Sequence, residues 1–99
     1  MTAAKRLGFG AGTSLYNSSV VMGDVTVGEN SWIGPFVLLE GAGSGIEIGS
    51  TCSISTGVHI YTHDSLTWAL SGRTAPYVKA PVRIADRCYV GPQSIIGAA

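Results

Sequence analysis

The chain has no surplus of charge, no cysteine framework and no long apolar run, and each lack removes a class of function. Six basic and six acidic residues cancel to a formal net charge of zero. No broad positive field is available to attract a phosphate backbone or an anionic lipid surface, so neither nucleic acid nor membrane is expected as a partner. No stretch reaches the ~18 consecutive apolar residues that read as a bilayer span, and the opening "MTAAKRLGFG" leads into no hydrophobic segment. A cytoplasmic protein is expected, which makes the sequon at Asn17-Ser18-Ser19 an accidental match. Cys52 and Cys88 are too few for a disulfide scaffold or a structural zinc site, and neither has a second cysteine two or three residues away. No metal is expected.

Glycine is what the chain has in quantity. Fourteen of the 99 residues are glycine, with 45% hydrophobic and only 12% charged. Disorder needs the opposite balance, and glycine weakens amphipathic helices. The length suits one domain, residues 1–99, near the size at which a lone core becomes marginal without a partner or an extended repeat.

A step of six organises the apolar residues. From Phe9 it lands on Leu15, Val21, Val27, Ile33 and Leu39, resumes at Ile48, Ile54 and Ile60, and resumes again at Ile84, Val90 and Ile96. Two residues before each landing point runs a second column of mostly small or β-branched residues, from Leu7 and Thr13 through Ser31, Cys52 and Val58 to Cys88 and Ser94. A separation of two is strand spacing, so both columns point inward. Glycines 10, 28, 34, 49, 91 and 97 follow the landing points, as expected where a turning chain needs a conformation that a Cβ resists. Three short strands close one triangular coil, and coils stack about 4.8 Å apart. Twelve steps make about four coils, and Thr13, Ser31, Cys52 and Cys88 then share one inward column, with both cysteines reduced.

The step is interrupted twice, by three residues after Leu39 and by eighteen after Ile60. Both interruptions follow the third strand of a coil and therefore leave from one corner on adjacent rungs. Glu40 is expected to stack beside Tyr61. The polar residues of "YTHDSLTWALSGRTAPYVKA" (61–80) gather in the longer loop, where functional groups usually sit on a rigid scaffold.

"GDVTVGENSWIGPFVLLEG", "GVHIYTHDSLTWALSG" and "APVRIADRCYVGPQSIIG" resemble the central coils of hexapeptide-repeat acyltransferases that acetylate sugars. The resemblance runs from about Ser18 to Gly97. It implies an all-β, single-stranded left-handed parallel β-helix with the loop inserted after the third coil. It also implies a homotrimer, acetyl-coenzyme A as acyl donor, and a sugar or nucleotide-sugar as acceptor. The family's loop histidine is the general base on the acceptor; His63 matches it, with Asp64 or Glu40 holding its tautomer. Tyr61, Trp68, Arg73, Tyr77 and Lys79 are candidate substrate contacts. His59 should face outward. "GAGSG" and "GFGAG" lack the spacing of phosphate-cradling loops and read as turns.

Family members usually continue past the last motif with further hexads and a closing helix, which this sequence does not show. Two other classes therefore stand beside the transferase: a non-catalytic trimeric scaffold or fragment, and a metal hydratase of the γ-carbonic-anhydrase kind pooling His59 and His63 between subunits.

Overall fold

The computed structural model describes residues 3–98. Its strands follow the step of six. Four of them, β1 (Ser14–Leu15), β3 (Trp32–Ile33), β5 (Ser53–Ile54) and β10 (Tyr89–Val90), pair in parallel, so that Leu15, Ile33, Ile54 and Val90 fall in one column. A second stack contains β2 (Val20–Val27), β4 (Leu38–Ile48), β6 (His59–Tyr61) and β11 (Ile95–Ile96), aligning Val21, Leu39, Ile60 and Ile96. The first half of β4 pairs with β6 and its second half with β9 (Val82–Ile84). The strand thus spans two faces and adds a third column, Val27 on Ile48 on Ile84. These stacked parallel strands make a parallel β-solenoid, with few helices.

Alternation along each strand sends the column residues into the axis. Ile33, Leu39, Ile54 and Ile60 are fully buried, each stabilising the fold by about 1.5–3 kcal/mol relative to exposure. Leu15, Val21, Ile84, Val90 and Ile96, towards the two ends of the stack, pack on that core and are only partly covered.

On the face of Thr13, Ser31, Cys52 and Cys88, the second inward column is a polar ladder running along the axis. The Thr13 hydroxyl donates to the Gly28 carbonyl at 2.6 Å and accepts the Ser31 N–H at 3.1 Å. Ser31 repeats this with Gly49 at 2.9 Å and Cys52 at 3.1 Å, and the Cys52 thiol donates to Ala85 at 3.1 Å. Small hydrogen-bonding side chains fit here because each bridges the corner of the rung above. Both cysteines are free thiols; Cys88 is half-buried.

Three readings of the sequence need correction. Leu7 is 42% exposed, because Ala3–Arg6 forms the short helix α1, and Ala4 takes the inward place instead. The glycines after the landing points are not in the left-handed region. For Gly10, Gly28, Gly34 and Gly49 the role is close approach: a Cβ on Gly10 would stand 2.5 Å from the backbone of Gly28 in the next rung. The left-handed positions lie further on, at Gly12 and at Asn30 (φ 54), Thr51 (φ 57) and Arg87 (φ 57), the last three with exposed side chains. "GAGSG" is not a turn but an extended stretch inside β4, absorbed as a bulge opposite Gly23–Val25 of β2.

The long loop has structure of its own. Its two ends pair as an antiparallel hairpin, β7 (His63–Asp64) with β8 (Val78–Lys79), and between them lies one helical turn and a half, α2 (Leu66–Leu70). No helix among the described residues is long and apolar enough to cross a membrane.

Candidate active site

The two irregular stretches meet at one corner. Glu40 lies directly beside Tyr61 in the parallel register of β4 and β6, on adjacent rungs. Strand alternation points Glu40 away from Leu39 and the core, yet the root of the long loop folds over it and leaves it 2% exposed.

A buried carboxylate must be hydrogen-bonded, and this one is. Its Oε1 accepts the Ala42 N–H at 2.8 Å, and its Oε2 accepts the Thr62 N–H at 3.3 Å. Oε2 also meets Nδ1 of His63 at 2.5 Å. Burial pushes the Glu40 carboxyl up, but the N–H of Ala42, the His63 ring and the N–H of Thr62 together hold it below its ordinary value. Glu40 is therefore ionised at neutral pH. An ionised carboxylate only accepts, so Nδ1 of His63 must carry a proton, and in the neutral ring Nε2 keeps the free electron pair.

Thr62 assembles the corner. It is fully buried; its hydroxyl donates to the Glu40 carbonyl at 2.9 Å and accepts the Ser44 N–H at 3.0 Å, while its own carbonyl accepts the Ala80 N–H at 3.1 Å. Both irregular stretches and the far end of the loop are tied to this one side chain and its peptide. Gly43 sits beneath His63: a Cβ there would stand 2.7 Å from the His63 Cβ and 2.9 Å from the Thr62 carbonyl oxygen. Sequence reasoning missed both residues. Thr62 had a signal, since it shares strand parity with inward Ile60.

His63 also lines an open cleft of about 390 Å³, together with Tyr61, Asp64, Ser65, Ile95, Gly97 and Ala98. Tyr61 thus stands in the cleft, its hydroxyl hydrogen-bonded to Nδ1 of half-exposed His59 at 3.0 Å. Asp64 lines the cleft too, but its carboxylate is engaged elsewhere, accepting the Leu66 N–H at 2.8 Å at the start of α2. Of the two carboxylates the sequence offers, Glu40 is the one in contact with His63. Trp68, Arg73 and Tyr77 form a stacked cluster that reaches the His63 ring. Lys79 is opposite His63 in the hairpin register, its side chain exposed. Among the described residues no group of three or more His, Cys, Asp or Glu is arranged to hold a metal ion.

An imidazole with a free Nε2, oriented by a buried carboxylate and opening on a partly apolar cleft, is an arrangement that can take a proton from a hydroxyl or amine.

No protein-family model matches the chain, and no curated protein matches it. Among solved structures four chains do. One is a crystal structure of a point mutant of AntD, an N-acyltransferase from Bacillus cereus, in complex with dTDP and coenzyme A. It is 27% identical, with a TM-score of 0.77, and the alignment covers 90% of this chain and 52% of that one. The chain therefore spans about half the length of that solved relative, and nearly all of it is similar to part of an acyltransferase.

Proposed function

We propose that this chain carries the catalytic coil of an acyl-coenzyme A dependent acyltransferase, moving an acetyl or other acyl group to a hydroxyl or amine of a sugar or nucleotide-sugar. The observation that carries the reading is the Glu40–His63 contact at a cleft, in a chain similar to an N-acyltransferase. In this reading the solenoid is the left-handed hexapeptide type, the chain works in the cytoplasm, and subunits associate as a trimer. Exposed apolar side chains on the outer faces, Val20, Met22, Trp32, Tyr89 and Ile95 among them, support association.

The residues divide the work as follows. His63 Nε2 accepts the proton of the acceptor hydroxyl or amine as that atom attacks the acyl carbonyl, and afterwards returns it to the departing sulfur. Glu40 keeps the proton on Nδ1 and stabilises the imidazolium formed in between, without itself taking the proton. A general base of this kind contributes ~10²–10⁴-fold to rate. The acyl thioester supplies the electrophilic carbonyl. The cleft fits such a group through the apolar wall given by Tyr61, Ile95 and Ala98 beside the His63 ring.

His63→Ala is expected to abolish acyl transfer while leaving the assembly unchanged by sedimentation. Undiminished turnover would remove His63 from the mechanism. Calorimetric titration with coenzyme A tests the donor independently, and absence of binding to the 99-residue chain would count against a complete donor site.

A further inference from the structure

Glu40 restrains the His63 imidazole at one atom only, and the ring, 39% exposed, could still swing about that hydrogen bond. A second contact closes off this freedom. The Tyr77 ring lies 5.9 Å from the imidazole centroid, tilted at 54°. Tyr77 is in turn packed on Trp68, 5.2 Å between centroids, and the Arg73 guanidinium lies 5.8 Å over the Trp68 ring. An unbroken series of ring contacts therefore runs from a cation on the loop to the candidate base.

Nothing in the local sequence requires this series; the loop's backbone builds it. Trp68 comes from α2, Arg73 from a left-handed turn (φ 78), and Tyr77 from the residue before β8. The β7–β8 pairing sets Lys79 opposite His63 and Val78 opposite Asp64, bringing Tyr77 back to the root of the loop. The Ala80 N–H on the Thr62 carbonyl fixes that return. The cation and both rings stay partly exposed, so the series adds little to the buried core. Its end point is the imidazole.

We propose that Tyr77, braced by Trp68 and Arg73, is a positioning residue that holds the His63 ring on Glu40, keeping Nδ1 protonated and Nε2 directed at the cleft. This rests on the reading of His63 as a base, and it gives Tyr77 and Trp68 a different role from substrate contact. Aromatic pairs prefer tilted and offset geometries of this kind, and a misplacement of ~1 Å in a catalytic group can cost about 10²-fold in rate.

The test uses the full 99-residue chain, Tyr77→Ala, Tyr77→Phe and Trp68→Ala, with two readouts. In the free protein, ¹⁵N resonances of the His63 ring report its tautomer. Wild type is expected to show the Nδ1–H form, and Tyr77→Ala a mixture shifted towards Nε2–H, with Tyr77→Phe restoring the wild-type pattern. In the transfer assay, Tyr77→Ala is expected to lower kcat by about 10–100-fold with KM within about twofold. Trp68→Ala should move both readouts in the same direction by less. An unchanged tautomer in Tyr77→Ala would overturn the proposal. So would a rise in KM with kcat intact, which marks a substrate contact, or a Tyr77→Phe defect as large as that of alanine, which marks a role for the hydroxyl. Should Tyr77→Ala fail to fold, Tyr77→Leu keeps apolar bulk without a ring and is judged by the same criteria. A wild type that transfers no acyl group would defeat the functional reading alone; the tautomer readout would still decide the positioning role.

Discussion

Replacing Glu40 by glutamine leaves the shape of the corner nearly intact and reverses the direction of one hydrogen bond. A glutamine has one acceptor and one donor where the carboxylate has two acceptors. Placing its NH₂ at the Oε1 position would set donor against donor at Ala42, 2.8 Å away. Placing it at Oε2 opposes only the longer Thr62 contact of 3.3 Å and leaves the Ala42 bond in place, so this orientation is favoured. The NH₂ then donates to His63 Nδ1, which must lose its proton, and the proton moves to Nε2. If His63 is the base, its Nε2 can then no longer take a proton, although every heavy-atom position is kept. The equivalent carboxylate-to-amide change in a hydrolytic triad costs about 10⁴-fold, so a loss of ~10³-fold or more in kcat, ~4 kcal/mol in barrier, is expected here. Glu40→Ala behaves differently. It removes an acceptor from both the Ala42 and Thr62 N–H groups, each left unpaired at about 1–3 kcal/mol, but it imposes no tautomer on His63. The glutamine variant should therefore be the more stable and the less active of the two. Thiol release from acetyl-coenzyme A with a panel of nucleotide-sugars and amino sugars gives the rates, and thermal melting gives the stabilities. A glutamine variant as active as wild type, or more active than alanine, would refute the orientation argument.

Three further expectations concern the same scaffold. Gly43→Ala, by pushing a methyl into the His63 Cβ and the Thr62 carbonyl, should lower kcat by at least about 10-fold and lower the melting temperature as well, because neither atom is the free end of a side chain; wild-type activity and melting temperature would show that the corner yields freely. Because folding holds the Glu40 carboxyl below its ordinary 4.5, its contribution to stability is complete above that pH and is lost as pH falls through the lowered value. The stability gap between wild type and Glu40→Gln in urea titrations should then shrink below about pH 4.5, and a gap independent of pH would contradict the assignment. Ile54→Ala, at a fully buried position in the middle of a column, should cost about 2–5 kcal/mol in urea unfolding; a cost below ~1 kcal/mol would mean the axis is not packed as described.

Most of the scaffold was legible because a solenoid writes its geometry at short range. Landing points such as Ile33, Leu39, Ile54 and Ile60 recur at a fixed step, and the two interruptions of that step located the corner where Glu40 meets Tyr61. Leu7 was misread because the step carries no information about when a helix replaces the first strand. The glycines were found, but for the wrong cause: crowding between rungs and left-handed backbone both select glycine, and only coordinates separate them. The choice between Asp64 and Glu40 was open for a similar reason. Alternation says which way Glu40 leaves its strand, not that a loop 22 residues later in sequence folds over it. The stack of Arg73, Trp68 and Tyr77 was illegible altogether, since the loop has no period and its contacts depend on a hairpin closed by two residue pairs.

The rung-to-rung register has a consequence for how such a chain can change length. Uninterrupted turns are eighteen residues long, as from Ser14 to Trp32 or from Val20 to Leu38. A duplication or loss of one whole turn ahead of Val20 would therefore be silent at the corner, because the partners of Glu40 come from the rungs beside it. A single codon gained or lost between Ile48 and Ile60, where no bulge takes up the shift, would instead invert inside and outside for the strand that follows. Growth in multiples of eighteen is tolerated where growth by one is not, so descendants of such a chain can differ widely in height while keeping the imidazole and its carboxylate at one unaltered spacing.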